Sequence, residues 1–250
     1  MLHKLKKKDF AVLRGPLESG RQSPDSLSGA LFLSIFLQSL MYYLTYYAAA
    51  STTIFPNVEK IQTIHFWVTA CIVFLCVIYS IPAIYNLSQK IQYLISILAV
   101  QNMGAACCYL SALFIVGDGE GITVASLVSF TKTTLAIGVL LFLATCIRFY
   151  ILLRKGHYRI GSKKGQLRAS FETTTYIPLA IVGSTGLVFV IQFMIRKFGW
   201  MGFEDTFIVV LGMGLFYTMI FVLPEQLVIL YCKFRFNHFT FHKDGVLKRR

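Results

Sequence analysis

The sequence predicts an all-α polytopic membrane protein, a bundle of six transmembrane helices with both termini cytoplasmic. Three observations carry this reading. Hydrophobic residues fill 56% of the 250 positions and charged residues only 14%, whereas soluble domains hold nearer a quarter charged residues. The mean hydropathy is +0.66. Apolar stretches of about twenty residues recur along the chain, the length with which a helix crosses a roughly 30 Å hydrocarbon core while satisfying its own backbone. The same figures exclude a disordered tail, a collagen-like fibre and a small disulfide scaffold.

The first element is a basic arm, residues 1–28, in which Gly15 to Gly29, with Pro16, Pro24 and several serines, reads as an irregular linker. A membrane domain is expected over 29–232, with spans at 29–50, 64–85, 93–116, 133–153, 176–195 and 206–231. The first apolar stretch is too long and too far from the terminus for a cleaved signal peptide, although Ala48-Ala49-Ala50 imitates a cleavage site, so an uncleaved signal anchor is expected. Residues Ile122 to Phe130 are also apolar, so the fourth helix either begins earlier and tilts or follows a short interfacial piece. A basic, aromatic tail, 233–250, closes the chain, and its phenylalanines interleaved with Lys233, Arg235 and His238 suit a segment lying on an anionic inner surface.

Lys and Arg fall on one side of this topology. The arm, the connection carrying Lys90, the connection with Arg154, Lys155, Arg159, Lys163, Lys164 and Arg168, and the tail hold nineteen of the 24, while the alternate connections hold only Lys60, Lys132, Arg196 and Lys197. Positive loops are retained in the cytoplasm. The net charge of +13 is thereby a property of one face, suited to anionic lipid headgroups rather than nucleic acid. Tyr42, Tyr43, Tyr46, Tyr47, His65, Phe66 and Trp67 gather at the opposite level as an aromatic belt or an outer-face ligand patch. Asn86-Leu87-Ser88 would face the cytoplasm unglycosylated.

The six cysteines lie in or beside apolar segments without Cys-x-x-Cys pairs, so neither a disulfide framework nor a zinc or iron–sulfur site is expected; Cys232, at the inner face, is a candidate for lipidation. His238 and His242 are too few ligands for a metal site, Gly117 to Gly121 is a turn without Walker or EF-hand spacing, and no GxSxG or HExxH is present. No cofactor and no enzymatic activity are expected.

The intramembrane polar candidates are Glu225, Gln226, Gln38, Gln101, Asn102 and Gln192. Ionisable groups within spans are costly and face protein, water or a partner charge. Glu225 therefore either pairs with a base such as Arg148, lines a polar interaction site, or couples protons or ions. The amides read mainly as interhelical hydrogen-bond glue. Pro82, Pro178 and Pro224 mark helix breaks, all toward the cytoplasmic side, which disfavours an inverted-repeat transporter. Gly104, Cys108 and Ala112, like Ala180 and Ser184, follow the small-residue spacing of close helix contacts, within the chain or between copies.

The start Leu13-Arg14-Gly15-Pro16-Leu17-Glu18-Ser19-Gly20-Arg21 and the end Leu223-Pro224-Glu225-Gln226-Leu227-Val228-Ile229-Leu230-Tyr231-Cys232-Lys233 resemble small multi-span proteins encoded beside Gram-positive type VII secretion systems. The resemblance implies a plasma-membrane accessory protein, or an immunity protein protecting its producer from a membrane-active toxin. It brings no catalytic residue. The expected function is then non-enzymatic protein–protein interaction with a membrane or secreted partner or a second copy, with Arg159, Lys163, Lys164 and Arg168 as a basic cytoplasmic contact. The alternative is a small-solute or proton-coupled transporter with Glu225 in its pathway.

Overall fold

The computed structural model describes residues 5–119, 121–162, 203–242 and 244–248. Among them every regular element is helical, apart from one antiparallel bridge between Phe241 and Leu247. A 3-10 helix, Lys7–Arg14, and a helical turn, α1 (Gly15–Glu18), precede α2 (Pro24–Tyr43), which runs on as a π turn, Leu44–Ala48. Then follow α3 (Val58–Tyr79), the short α4 (Pro82–Tyr85), and a rod made of α5 (Gln89–Gln101), a second π turn (Asn102–Cys107) and α6 (Cys108–Val116). The long α7 (Val124–Arg154) and α8 (Phe203–Arg235) complete the bundle. Among the described residues five helices are long and apolar enough to cross a bilayer. The chain is a multi-pass integral membrane protein.

Local chemistry sets the helix ends, and several expected boundaries move. The segment 15–29 is not an irregular linker. Pro24 opens α2 at its first position, where its missing amide costs nothing, and the Ser23 hydroxyl caps it by accepting from the Ser26 amide at 3.2 Å. The fourth span begins at Val124 rather than 133, because Thr123 and Ser126 form a reciprocal capping box. Pro82 does not kink a span; it starts α4 after α3 has ended at Tyr79. Pro224 lies inside α8, which continues through it to Arg235. The expected span 176–195, with Pro178, Ala180, Ser184 and Gln192, lies outside the described residues.

The bundle is assembled as two triads sharing the α5–α6 rod. In the first, Leu31 of α2, Ile72 and Cys76 of α3, and Ile95 and Ala99 of α5 form one core. In the second, α6 and α7 pack on α8. A Cβ at Gly212 would come within 2.8 Å of the Cys108 carbonyl oxygen and 3.2 Å of the Ala112 Cβ, and one at Gly138 within 3.2 Å of Ile220. The Gly104-Cys108-Ala112 stripe is therefore spent on α8 of the same chain, where Met219 meets Gly104 and Gly212 meets the other two.

The terminal arm and tail close one end of the bundle. Phe10, Leu13 and Leu17, all essentially inaccessible, join Tyr93, Leu153, Ile229, Phe236, Phe239 and Phe241 in a single core. Burying a side chain of this size stabilises by about 1.5–3 kcal/mol, so the arm is an integral cap. Phe236, Phe239 and Phe241 are not available to a lipid surface; of the tail's four phenylalanines only Phe234 is exposed. The cap is tied down by Val12 N–H to the Tyr158 carbonyl at 3.0 Å and by Arg159 Nε to Asp9 Oδ1 at 2.7 Å. Burial alone would raise the Asp9 pKa, but the Lys6 amide, the Arg159 hydrogen bond and its charge outweigh it and hold the carboxyl below its ordinary range.

Candidate functional site

Polar side chains inside the bundle converge on one network. Along α3, His65, Thr69 and Cys76 share the buried face with Ile72, and along α2 and its π turn Ser34, Gln38, Thr45 and Tyr46 are buried opposite them. These spacings of three, four and seven residues place each set on one helical stripe. Asn102, at the head of the second π turn, joins them. Its amide nitrogen donates to Gln38 Oε1 and Thr69 Oγ1, each at 3.1 Å, and its Oδ1 stands 3.0 Å from His65 Nε2. Because that oxygen can only accept, His65 carries its proton on Nε2, and its Nδ1 accepts from the Tyr46 hydroxyl at 2.9 Å. Gln38 and Ser34 reach the Cys76 sulfur at 3.8 and 3.6 Å, so the chain of contacts runs from Ser34 to Tyr46, about 18 Å along α2 at 1.5 Å per residue.

The two π turns meet in this region. The Thr45 hydroxyl contacts the Cys107 carbonyl at 3.5 Å and the Ser111 hydroxyl at 2.9 Å. An extra residue in a helical turn rotates the following segment and frees backbone groups; here it lets one rod turn Asn102 toward α2 and α3 while α6 presents its small residues to α8. The network is internally satisfied, and it reaches the groove described next only through Ser111, the partner of Thr45. Chemically it is a lock on helix order and register.

At the end of the bundle opposite the cap, a groove of about 490 Å³ opens between the first π turn, α6 and α8. Ala48, Ala49, Cys108 and Gly212 contribute small surfaces to it, Leu44 and Leu211 are apolar and exposed, and Asp118 and Asp205 stand on its lining. The turn that carries Asp118 is fixed to the connection before α3 by Ile54 N–H to the Gly117 carbonyl at 3.0 Å. Among the described residues no group of three His, Cys, Asp or Glu side chains could hold a metal.

The intramembrane candidates separate into three places. Gln38 and Asn102 belong to the network. Gln101 points the other way, donating to the Met219 carbonyl at 3.3 Å and to Gln226 Oε1 at 3.4 Å, and so ties α5 to α8. Glu225 and Arg148 line one cavity of about 190 Å³ beside Pro224, but they form no ion pair with each other; the Arg148 guanidinium lies 5.9 Å from the Phe221 ring centroid. Of the basic contact set, Arg159 is engaged with Asp9, and Lys163, Lys164 and Arg168 lie outside the described residues. Reading the sequence alone placed His65 and Tyr46 in an interfacial belt and assigned Thr69 nothing. The signal that reveals them is the polar stripe at 65, 69 and 76 within an otherwise apolar span. Compared with family models, with curated proteins and with solved structures, the chain finds no match.

Proposed function

We propose that this protein works in the plasma membrane by binding another membrane-embedded protein, without catalysis of its own, as a secretion-system accessory or toxin-immunity protein would. The observation that carries this reading is the groove. Ala48 and Ala49 let a second helix backbone approach closely, exposed Leu44 and Leu211 offer contact area, and Asp118 and Asp205 suit an occupant with a basic flank just beyond its apolar stretch. A topology of six crossings with cytoplasmic termini fits: α7 ends beside the cap, where Leu153 joins its core, whereas α8 begins at the groove end, where Asp205 and Ile208 line the wall. An even number of crossings requires these two ends to lie on opposite sides, and in the proposed topology the positive cap faces the cytoplasm.

The test places a photo-crosslinking residue at Ile208 in the groove or at exposed Val139 on α7, in native membranes. A protein adduct of defined mass at Ile208, absent at Val139 and weakened by Asp118→Asn with Asp205→Asn, is the expected result. Lipid adducts alone at both positions, or equal protein adducts at both, would overturn the reading. A carrier role has one observation in its favour, the shared Glu225 and Arg148 cavity at the proline of α8. It requires that Glu225→Gln abolish solute uptake by reconstituted protein.

A further inference from the structure

The cap end carries a second concavity, of about 520 Å³, between the N-terminus of α5, the end of α8 and the tail. Its polar wall is built from Lys90, Lys248, His242, Asn86 and Asn237, and among the described residues no carboxylate lines it. Two acids lie near without facing in. Asp25 accepts the Tyr85 hydroxyl, whose pKa that bond pushes up to about 12, and Asp244 sits in the exposed tail turn.

The wall is preorganised. The tail folds back as a small hairpin, with Lys248 N–H to the Thr240 carbonyl at 3.1 Å and His242 N–H to the Val246 carbonyl at 2.8 Å, turning at Gly245 with φ +74°. The buried Gln89 side chain pins this hairpin to α5: its Nε2 donates to the Phe241 carbonyl at 3.1 Å and its Oε1 accepts from the Phe241 amide at 2.9 Å. Arg14 adds a contact to the Lys248 carbonyl at 3.3 Å. Among the described residues no side chain caps α5, and the Gln89 and Lys90 amides meet no backbone carbonyl. The site thus joins fixed lysines to the positive end of a thirteen-residue helix.

Its position names the ligand class. Leu87, Ile91 and Phe234 stand at the edge of the same concavity, 79%, 41% and 55% exposed, and Lys90 and Phe234 belong to the first and last turns of helices that cross the bilayer. A basic pocket at headgroup level with an apolar rim continuing into the hydrocarbon fits an amphiphile with an anionic head. We infer that this pocket binds the phosphate of an anionic phospholipid, with acyl chains along Leu87, Ile91 and Phe234. The inference is independent of the groove at the other end.

The experiment uses the full chain in mild detergent with phosphatidylglycerol or phosphatidylcholine, and native mass spectrometry to count retained lipid. One retained phosphatidylglycerol per chain and no phosphatidylcholine is expected. Lys90→Gln and Lys248→Gln should each weaken retention about fivefold, the worth of one basic side chain at an anionic surface. Exposed Lys155→Gln, at the end of α7, should leave it unchanged. Equal loss with Lys155→Gln, or no loss with the two pocket variants, would overturn the proposal. So would displacement of the lipid by equimolar glycerol phosphate, which would make the pocket a site for free phosphate. Leu87→Asn keeps every charge and alters only an exposed side chain; it should also weaken retention, and unchanged retention would count against the acyl path.

Discussion

Asn102→Ala isolates the network at its busiest member. The amide makes three hydrogen bonds, at 3.0, 3.1 and 3.1 Å, to side chains on α2 and α3. Interhelical hydrogen bonds in membranes average about 0.6 kcal/mol and reach about 1.7, so the three account for about 2 kcal/mol. Truncation also strands His65 Nε2–H and Gln38 Oε1 away from water, and a buried donor or acceptor left unpaired costs about 1 kcal/mol or more. The expected loss is therefore about 3 kcal/mol, roughly a hundredfold in the unfolding equilibrium. The assay is reversible denaturation of purified protein in lipid bicelles, with Val139→Ala, at a lipid-facing position, as the reference. A double-mutant cycle with His65→Phe supplies the second readout, since the pair should show coupling of about 0.6–1.7 kcal/mol. If Asn102→Ala fell within about 0.5 kcal/mol of the reference, and the cycle closed without coupling, the network would not hold the bundle together.

Two glycines only about 3 Å apart along α8 should answer differently to the same change. Gly212→Ala drives a Cβ into the Cys108 carbonyl oxygen and should cost about 1–3 kcal/mol, whereas Gly214→Ala meets nothing within 4 Å and should be neutral or gain up to about 1 kcal/mol; thermal midpoints in detergent compare them. Phe10→Ala removes a fully buried ring that packs 5.8 Å from Phe236, and at about 3–5 kcal/mol it should detach the cap, seen as rapid proteolysis at the arm with the spans intact. Because Asp9 is held below its ordinary pKa, its contribution is fully present above the unfolded carboxylate value and disappears as pH falls through the lower folded one. Hydrogen exchange in the arm should therefore accelerate on acidification through that window in the native chain and change less in Asp9→Asn.

Five of the spans were legible because hydropathy and length act locally. Their ends were less so: Ser23-Pro24 spells a cap within a polar stretch that composition assigns to a connection, and Thr123 with Ser126 decides for the earlier start of α7, which the apolar run from Ile122 to Phe130 left open. The arm was misread for a related reason. Phe10, Leu13 and Leu17 are too few to form a core by themselves and acquire one only because Tyr93, Leu153 and Ile229 converge from three distant helices. Of the polar candidates, Gln38, Gln101, Asn102 and Gln226 were visible as costly intramembrane amides, but nothing in their spacing says that Asn102 turns to His65 while its neighbour Gln101 turns to Gln226. Adjacent residues of a helix point about 100° apart, so the two must diverge, but which neighbour each meets is set by helices distant in the chain.

The distribution of polarity inside the bundle bears on how the groove is kept open. Lipid offers apolar surfaces no reason to associate, so helix order in a membrane rests on close packing and on polar contacts that lipid cannot replace. Here the two devices are separated. The α2, α3 and α5 triad uses hydrogen bonds around Asn102, whereas α8 meets α6 and the second π turn through Gly212 and Gly104, against small and flexible neighbours. The groove lies where the first π turn, from one triad, faces α6 and α8 of the other. Thr45 fixes that first π turn to Cys107 and Ser111, and the Gly212 contact fixes α8 to the same rod. Its walls are consequently set by two independent anchors on one helix, and a ligand entering it meets a preformed surface rather than a gap that must be held apart. Loosening either anchor should change groove crosslinking before it unfolds the protein, which ties the polar network to the proposed function through position rather than chemistry.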